Sequence, residues 1–225
     1  HAADGTLAIK GYFNGSDPEH IYFHSTMEAE KLDLDKLLFK FENFGQDYLI
    51  NENLHGKVSG TIKSNFMVQP DLTPIIDKSE ADMDLTVYQG SLVNFAPLSA
   101  MSSYFSDKNL NNVRFDTLQN TFELREGILS IPLMNINSSL GFIELSGKQS
   151  LDMNMDYFIR IPLGLVTSVG FKSLFAGKNK DEINPEQEDS IVYRDGNKRV
   201  RFVNINMKGT PDDYKVSLAK DKKLK

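Results

Sequence analysis

His20 and His24 stand four residues apart, the spacing that puts two imidazoles on one side of a helix where they can share a metal ion. Tyr22 and Phe23, within the alternating stretch Ile21, Phe23, Ser25 and Met27, point to a strand instead. No cysteine and no His-Glu partner motif accompanies the pair, so it reads as two surface histidines. His55 is isolated beside Gly56. Asp107, Asn109 and Asn111 resemble the first half of a calcium loop, but Asn112 stands where that loop needs glycine and Leu118 where it needs a bidentate glutamate. Asp82 and Asp84 share one face of an alternating stretch, as the carboxylates of any solvated strand do. There is no Gly-x-Ser-x-Gly elbow, phosphate-binding Gly-Lys-Ser/Thr loop or dinucleotide fingerprint. With no acid, base or nucleophile assembled by spacing, the expectation is a protein that is not an enzyme and holds no metal or cofactor.

Charge narrows the partners. A net charge of -6 and a pI near 5.3 argue against nucleic acid, whose phosphates call for clustered Lys and Arg. Lys220, Lys222, Lys223 and Lys225 form a basic tail that reads as a solvated terminus. The triplets Asn14-Gly15-Ser16 and Asn137-Ser138-Ser139 match the glycosylation pattern, which is short enough to arise by chance. No apolar run reaches the roughly 18 residues of a membrane-spanning helix. The chain starts at His1-Ala2-Ala3, which leaves room for an upstream targeting segment or anchor.

The elements that would position any function are mostly strands. Period-two alternation runs through Val58, Ile62, Phe66 and Val68, through Met83, Leu85 and Val87, and through Leu151, Met153, Met155, Tyr157, Ile159 and Ile161. Polar residues fill the intervening positions, so one face is greasy and the other wet. Further strands are expected at residues 6–13, 21–34, 122–126, 128–136, 140–147, 200–208 and 214–219. Asn14-Gly15, Gln89-Gly90, Glu126-Gly127 and Asp195-Gly196 supply turn signals between them. Short connections favour antiparallel neighbours. About three short helices are expected, at 35–44, 97–105 and 165–176, and the charged stretch 178–190 reads as a mobile insertion. The predicted fold is a mainly β, extended, twisted and curled antiparallel sheet, a trough or a sandwich, in a single elongated domain over 1–225.

A one-sided apolar sheet must cover that face. Three short helices cover part of it, so the remainder curls on itself, packs on another sheet or holds an apolar ligand. The residues predicted to face such a ligand are Ile62, Phe66, Met83, Leu85, Met153, Met155 and Ile159, where methionine fills irregular space around mobile chains. Leu165, Val169, Leu174 and Phe175, accompanied by Lys172, Lys178 and Lys180, form a stripe suited either to capping the sheet or to lying on a membrane surface.

One series of motifs carries a resemblance. Gly90-Ser-Leu-Val-Asn-Phe95-Ala-Pro97-Leu98 is followed by Leu110-Asn-Asn-Val113-Arg-Phe115, by Gly127-Ile128-Leu129-Ser-Ile131-Pro132-Leu133-Met134-Asn-Ile136, by Leu145-Ser-Gly147 and by Met155-Asp156-Tyr157. In that order and spacing the chain resembles the C-terminal region of AsmA-like proteins of the Bacteroidota type, over about residues 54–215. The resemblance implies a periplasmic cell-envelope protein, anchored in the inner membrane by an N-terminal helix and similar to bridge-like lipid-transfer proteins. It also implies a β-groove binding phospholipid acyl chains, a role in lipid transport and outer-membrane biogenesis, and contacts with other envelope proteins. The alternative is a structural or interaction module of an envelope assembly whose core is closed and holds no lipid.

Overall fold

Long alternating segments joined by short turns fold into a meander, because each strand meets its chain neighbour before any other partner. The computed structural model describes residues 3–17, 20–40, 42–45, 50–95, 98, 108–150, 152–163, 190–197 and 199–219. They form one sheet of β1 (Thr6–Asn14), β2 (Ile21–Asp33), β3 (Leu54–Val68), β4 (Pro74–Val93), β5 (Asn112–Arg125), β6 (Ile128–Ser138), β7 (Gly141–Ser150), β8 (Met155–Pro162), β9 (Phe202–Gly209) and β10 (Tyr214–Leu218). Every adjacent pair is antiparallel and the strands lie in chain order. The sheet does not close, so β1 and β10 are its edges.

Among the described residues there is one short α-helix, not about three. Helix α1 (Leu34–Lys40) is started by Asp33, whose carboxylate accepts the Lys36 backbone N–H at 3.1 Å, and a 3-10 turn (Glu42–Gly45) follows it. The expected helix at 165–176 and the insertion at 178–189 lie outside the described residues, as does the helix at 97–105 apart from Leu98.

Two local expectations are corrected. Gln89-Gly90 is no turn: it lies inside β4, where Gln89 takes a positive φ of 50° and shifts the pairing with β3 between His55 and Lys57. Met153 is not on a strand. It has φ 61°, donates its N–H to Ser150 O at 3.0 Å and belongs to the turn between β7 and β8, so the strand begins at Met155. Glu126-Gly127 is the expected hairpin turn, with φ values of 50° and 71° that suit a two-residue reversal.

Cross-strand partners point to the same side of a sheet, so the register sorts the side chains into faces. One face is apolar from β1 to β10, and bulges keep it so. In β2 the inward residues change from odd (Ser25, Met27, Ala29) to even (Leu32) across a bulge at Lys31, whose N–H donates to Ser59 Oγ at 2.8 Å. In β5 the buried odd residues Val113 and Phe115 give way to the half-buried even residues Leu118, Phe122 and Leu124 opposite Gln89. In β6 the shift falls between Ile131 and Met134.

This face is packed in two places, at one strand end of β2–β4 and over the β8–β9 end of the sheet. At one, Leu32, Leu34 and Val58 form a buried cluster with Leu37 of α1 against it. At the other, Met155, Ile159, Ile161, Ile205 and Met207 pack with Leu110 and Leu98 from the β4–β5 connection.

Candidate functional site

Beside the Leu32 cluster, on the same strands, the apolar face carries a strip whose central row belongs to neither buried cluster of the described residues. Its central row runs straight across five strands, through the direct partners Ile9, Met27, Ile62, Met83 and Phe122. Ile9 on the edge strand is 54% exposed and the other four are half-buried. One flanking row is Phe13, Phe23 and Phe66, with the first two rings stacked at 4.6 Å between centroids. The other flank is Leu7, Ala29, Gly60 and Leu85, of which Leu7, Ala29 and Leu85 pack against the Leu32 cluster and so join the strip to it. Four inter-strand steps of roughly 4.8 Å make the strip about 19 Å wide.

Between the phenylalanine row and the central row lie Gly11, Ser25, Ser64 and Ala81, which leave a shallow, narrow floor. The two serines are buried and satisfy each other, with their hydroxyl oxygens 2.6 Å apart. Gly60 leaves no space for a larger residue, since an added Cβ would come within 2.0 Å of the Asp84 carbonyl.

The predicted ligand-facing residues therefore separate into groups. Ile62, Met83, Leu85 and Phe66 come together on the strip. Met155 and Ile159 share its face but lie inside the packed end, 3% and 6% exposed. Met153 is in the turn, where its sulfur accepts the Gln149 side-chain N–H at 3.2 Å. Leu165, Val169, Leu174 and Phe175 lie outside the described residues. Sequence reasoning missed Ile9, Met27, Phe122 and the Phe13–Phe23 pair as members of the strip. Their alternation was visible, but only the register places them beside Ile62 and Met83.

The polar face holds a different feature, a trench of about 460 Å³ across β1–β4 between Lys10, Thr26, Lys63 and Asp82 on one side and Tyr12, His24, Asn65 and Glu80 on the other. Tyr12 and His24 stack at 4.8 Å, and Asp82 pairs with Arg125. Two cations face two carboxylates there, so the lining balances its own charge. His20 pairs with Asp17 at 2.7 Å and lies apart from His24, and no group of three metal-ligating side chains occurs among the described residues. Asp84 and Asp82 face solvent on this side.

At the packed end the polar face is also covered. Residues 190–197 cross it, with the Val192 N–H donating to Ser138 O at 3.0 Å and the Tyr193 hydroxyl to Asp116 at 3.0 Å. The buried carboxylate of Glu144 accepts a hydrogen bond from Arg160, and its second oxygen is 3.7 Å from the Arg194 guanidinium. Arg160 lies over the Phe202 ring and Arg194 over the Phe142 ring, at 4.2 and 4.9 Å from the centroids. No helix among the described residues is long and apolar enough to cross a membrane.

Neither a protein-family model, a curated protein nor a solved structure matches the chain.

Proposed function

We propose that this chain is a non-enzymatic cell-envelope protein of the AsmA-like type, whose apolar sheet face shields phospholipid acyl chains in a curled trough. The observation that carries the reading is the strip Ile9, Met27, Ile62, Met83 and Phe122, a continuous apolar row from edge strand β1 to β5 that belongs to neither buried cluster of the described residues. Acyl chains laid on it leave water at a gain of about 0.8 kcal/mol per buried methylene, and headgroups stay at the open side. No covalent step is required. The resemblance over about residues 54–215 supplies the setting, a periplasmic protein anchored in the inner membrane that moves lipid for outer-membrane biogenesis.

The test is phospholipid co-purification by native mass spectrometry, with transfer of a fluorescent phospholipid between vesicles. Ile62→Asp and Met83→Asp place charges on the strip and are expected to remove bound lipid and cut transfer more than about tenfold, since one uncompensated buried charge outweighs several methylenes. Thr61→Lys, on the wet face between its partners Glu28 and Asp84, is expected to leave both unchanged. Absence of lipid from the wild-type protein together with absence of transfer ends this reading.

Edge strand β1 favours a second one. Ile9, Tyr12 and Phe13 are all more than half exposed on a strand whose outer backbone groups have no partner strand among the described residues. An interaction module would use that edge to receive a strand from an envelope partner. A discrete protein adduct from a photo-crosslinker at Tyr12, in a protein that carries no lipid, would replace the first reading with this one.

A further inference from the structure

Five of the chain's six arginines, Arg114, Arg160, Arg194, Arg199 and Arg201, collect at one end of the sheet. The meander brings them together: β5 begins there at Asn112, β8 ends there at Pro162 and β9 begins there at Phe202. The arginines outnumber the carboxylates among them, Asp116, Glu144 and Asp195, in a chain of net charge -6. Arg160 and Arg194 are engaged by Glu144, whereas Arg199 and Arg201 are exposed. The same end also exposes apolar side chains, Leu163 at 49%, Val192 at 41%, Tyr193 at 59% and Leu218 at 68%. Backbone hydrogen bonds fix their place: Leu163 N–H to Arg201 O at 2.7 Å, and Ala219 N–H, just past Leu218, to Asn204 O at 2.8 Å.

We infer that this end of the sheet docks on an anionic lipid surface, with Arg199 and Arg201 on headgroup phosphates and Leu163, Val192 and Leu218 entering the boundary beneath them. Arginine beside exposed aliphatic side chains and a tyrosine is the chemistry of a membrane interface, where cations meet phosphate and the apolar groups leave water a few ångströms deeper. A polynucleotide would use the cations and leave the aliphatic residues in water. The choice of a lipid partner rests on the proposed function, and the docking end is distinct from the strip. A bilayer met here lies at the end of the strands, beyond the packed cluster of Ile161 and Ile205.

Sedimentation with vesicles tests this. The protein is expected to bind vesicles of phosphatidylcholine mixed with phosphatidylglycerol, to bind pure phosphatidylcholine weakly, and to be released by salt. Arg199→Ala with Arg201→Ala is expected to weaken binding about 25-fold, near fivefold for each basic residue. Arg199→Lys with Arg201→Lys keeps it, and Leu163→Ser with Leu218→Ser weakens it at high salt as well as low. Equal binding to both vesicle types, binding indifferent to the double alanine change, or capture of a protein by an end that ignores phosphatidylglycerol overturns the inference. Fluorescent-lipid binding, measured on the same variants, separates the two readings. Retained acyl binding without wild-type vesicle association sinks the docking end alone, whereas vesicle association without acyl binding sinks the strip alone.

Discussion

Tyr157 lies on the apolar face between its partners Gly147 and Met207, and its hydroxyl donates to the Gln149 side-chain carbonyl. Burial pushes its phenol up from 10.0 to about 12. A raised phenol favours the protonated folded state, so its contribution is intact below pH 10 and is lost as pH rises towards about 12. Two pH units correspond to a loss of about 3 kcal/mol at most. Tyr157→Phe is expected to flatten that alkaline decline in urea melts taken across this range. The Ser25–Ser64 pair makes a second expectation. Ser64→Ala strands a buried hydroxyl and is expected to cost about 1–2 kcal/mol, while Ser25→Ala with Ser64→Ala together costs less than the single change. Denaturant midpoints for the single and double variants check the order. In the linear chain each serine reads as a polar interruption of a greasy face, and only the partner 39 residues away explains it.

Strands were legible wherever polar and apolar residues alternated without a break, as from Val58 to Val68, and α1 was legible from Leu37, Leu38 and Phe41 at helical spacing. They were foreshortened where a bulge reversed the alternation. Only 122–126 of β5 was expected because Val113 and Phe115 fall out of phase with Leu118, Phe122 and Leu124. The start of β4 escaped for a related reason: its pairing with β3 shifts after Asn65, and buried Ser79 fills the irregularity by accepting the Met67 N–H at 3.1 Å and donating to Ile75 O at 2.6 Å. Gly90 belongs to this scale, because it looks like a turn residue but serves a close approach. A Cβ there would lie 2.2 Å from the ring of buried Phe115, which has little freedom to withdraw. Gly90→Ala is expected to destabilise by about 1–3 kcal/mol, and Phe115→Leu in the same chain to recover part of that. Thermal melts of the two variants measure it.

For the whole molecule the decisive property is that a ten-stranded meander remains open while, among the described residues, its apolar face is packed around the Leu32 and Ile161 clusters and not along the row from Ile9 to Phe122. A lipid trough requires that uneven covering. Thus Ile62→Asp should cost lipid, whereas Ile159→Asp, inside the packed end, is expected to cost about 3 kcal/mol or more of stability, and comparing lipid content with unfolding midpoints distinguishes them. By itself the sequence determined the β class, the antiparallel neighbours and the existence of one apolar face, because period two, short connections and turn residues are local properties. Which of that face's residues are core and which line the strip was decided by tertiary structure alone. Met83 and Met155 are indistinguishable in their local alternation, yet β8 and β9 meet Leu110 and Leu98 from a distant connection, while Met83 sits between Ile62 and Phe122 with neither cluster over it. The physical reason is that alternation sets the direction of a side chain, whereas burial depends on what long-range register and distant connections bring against it.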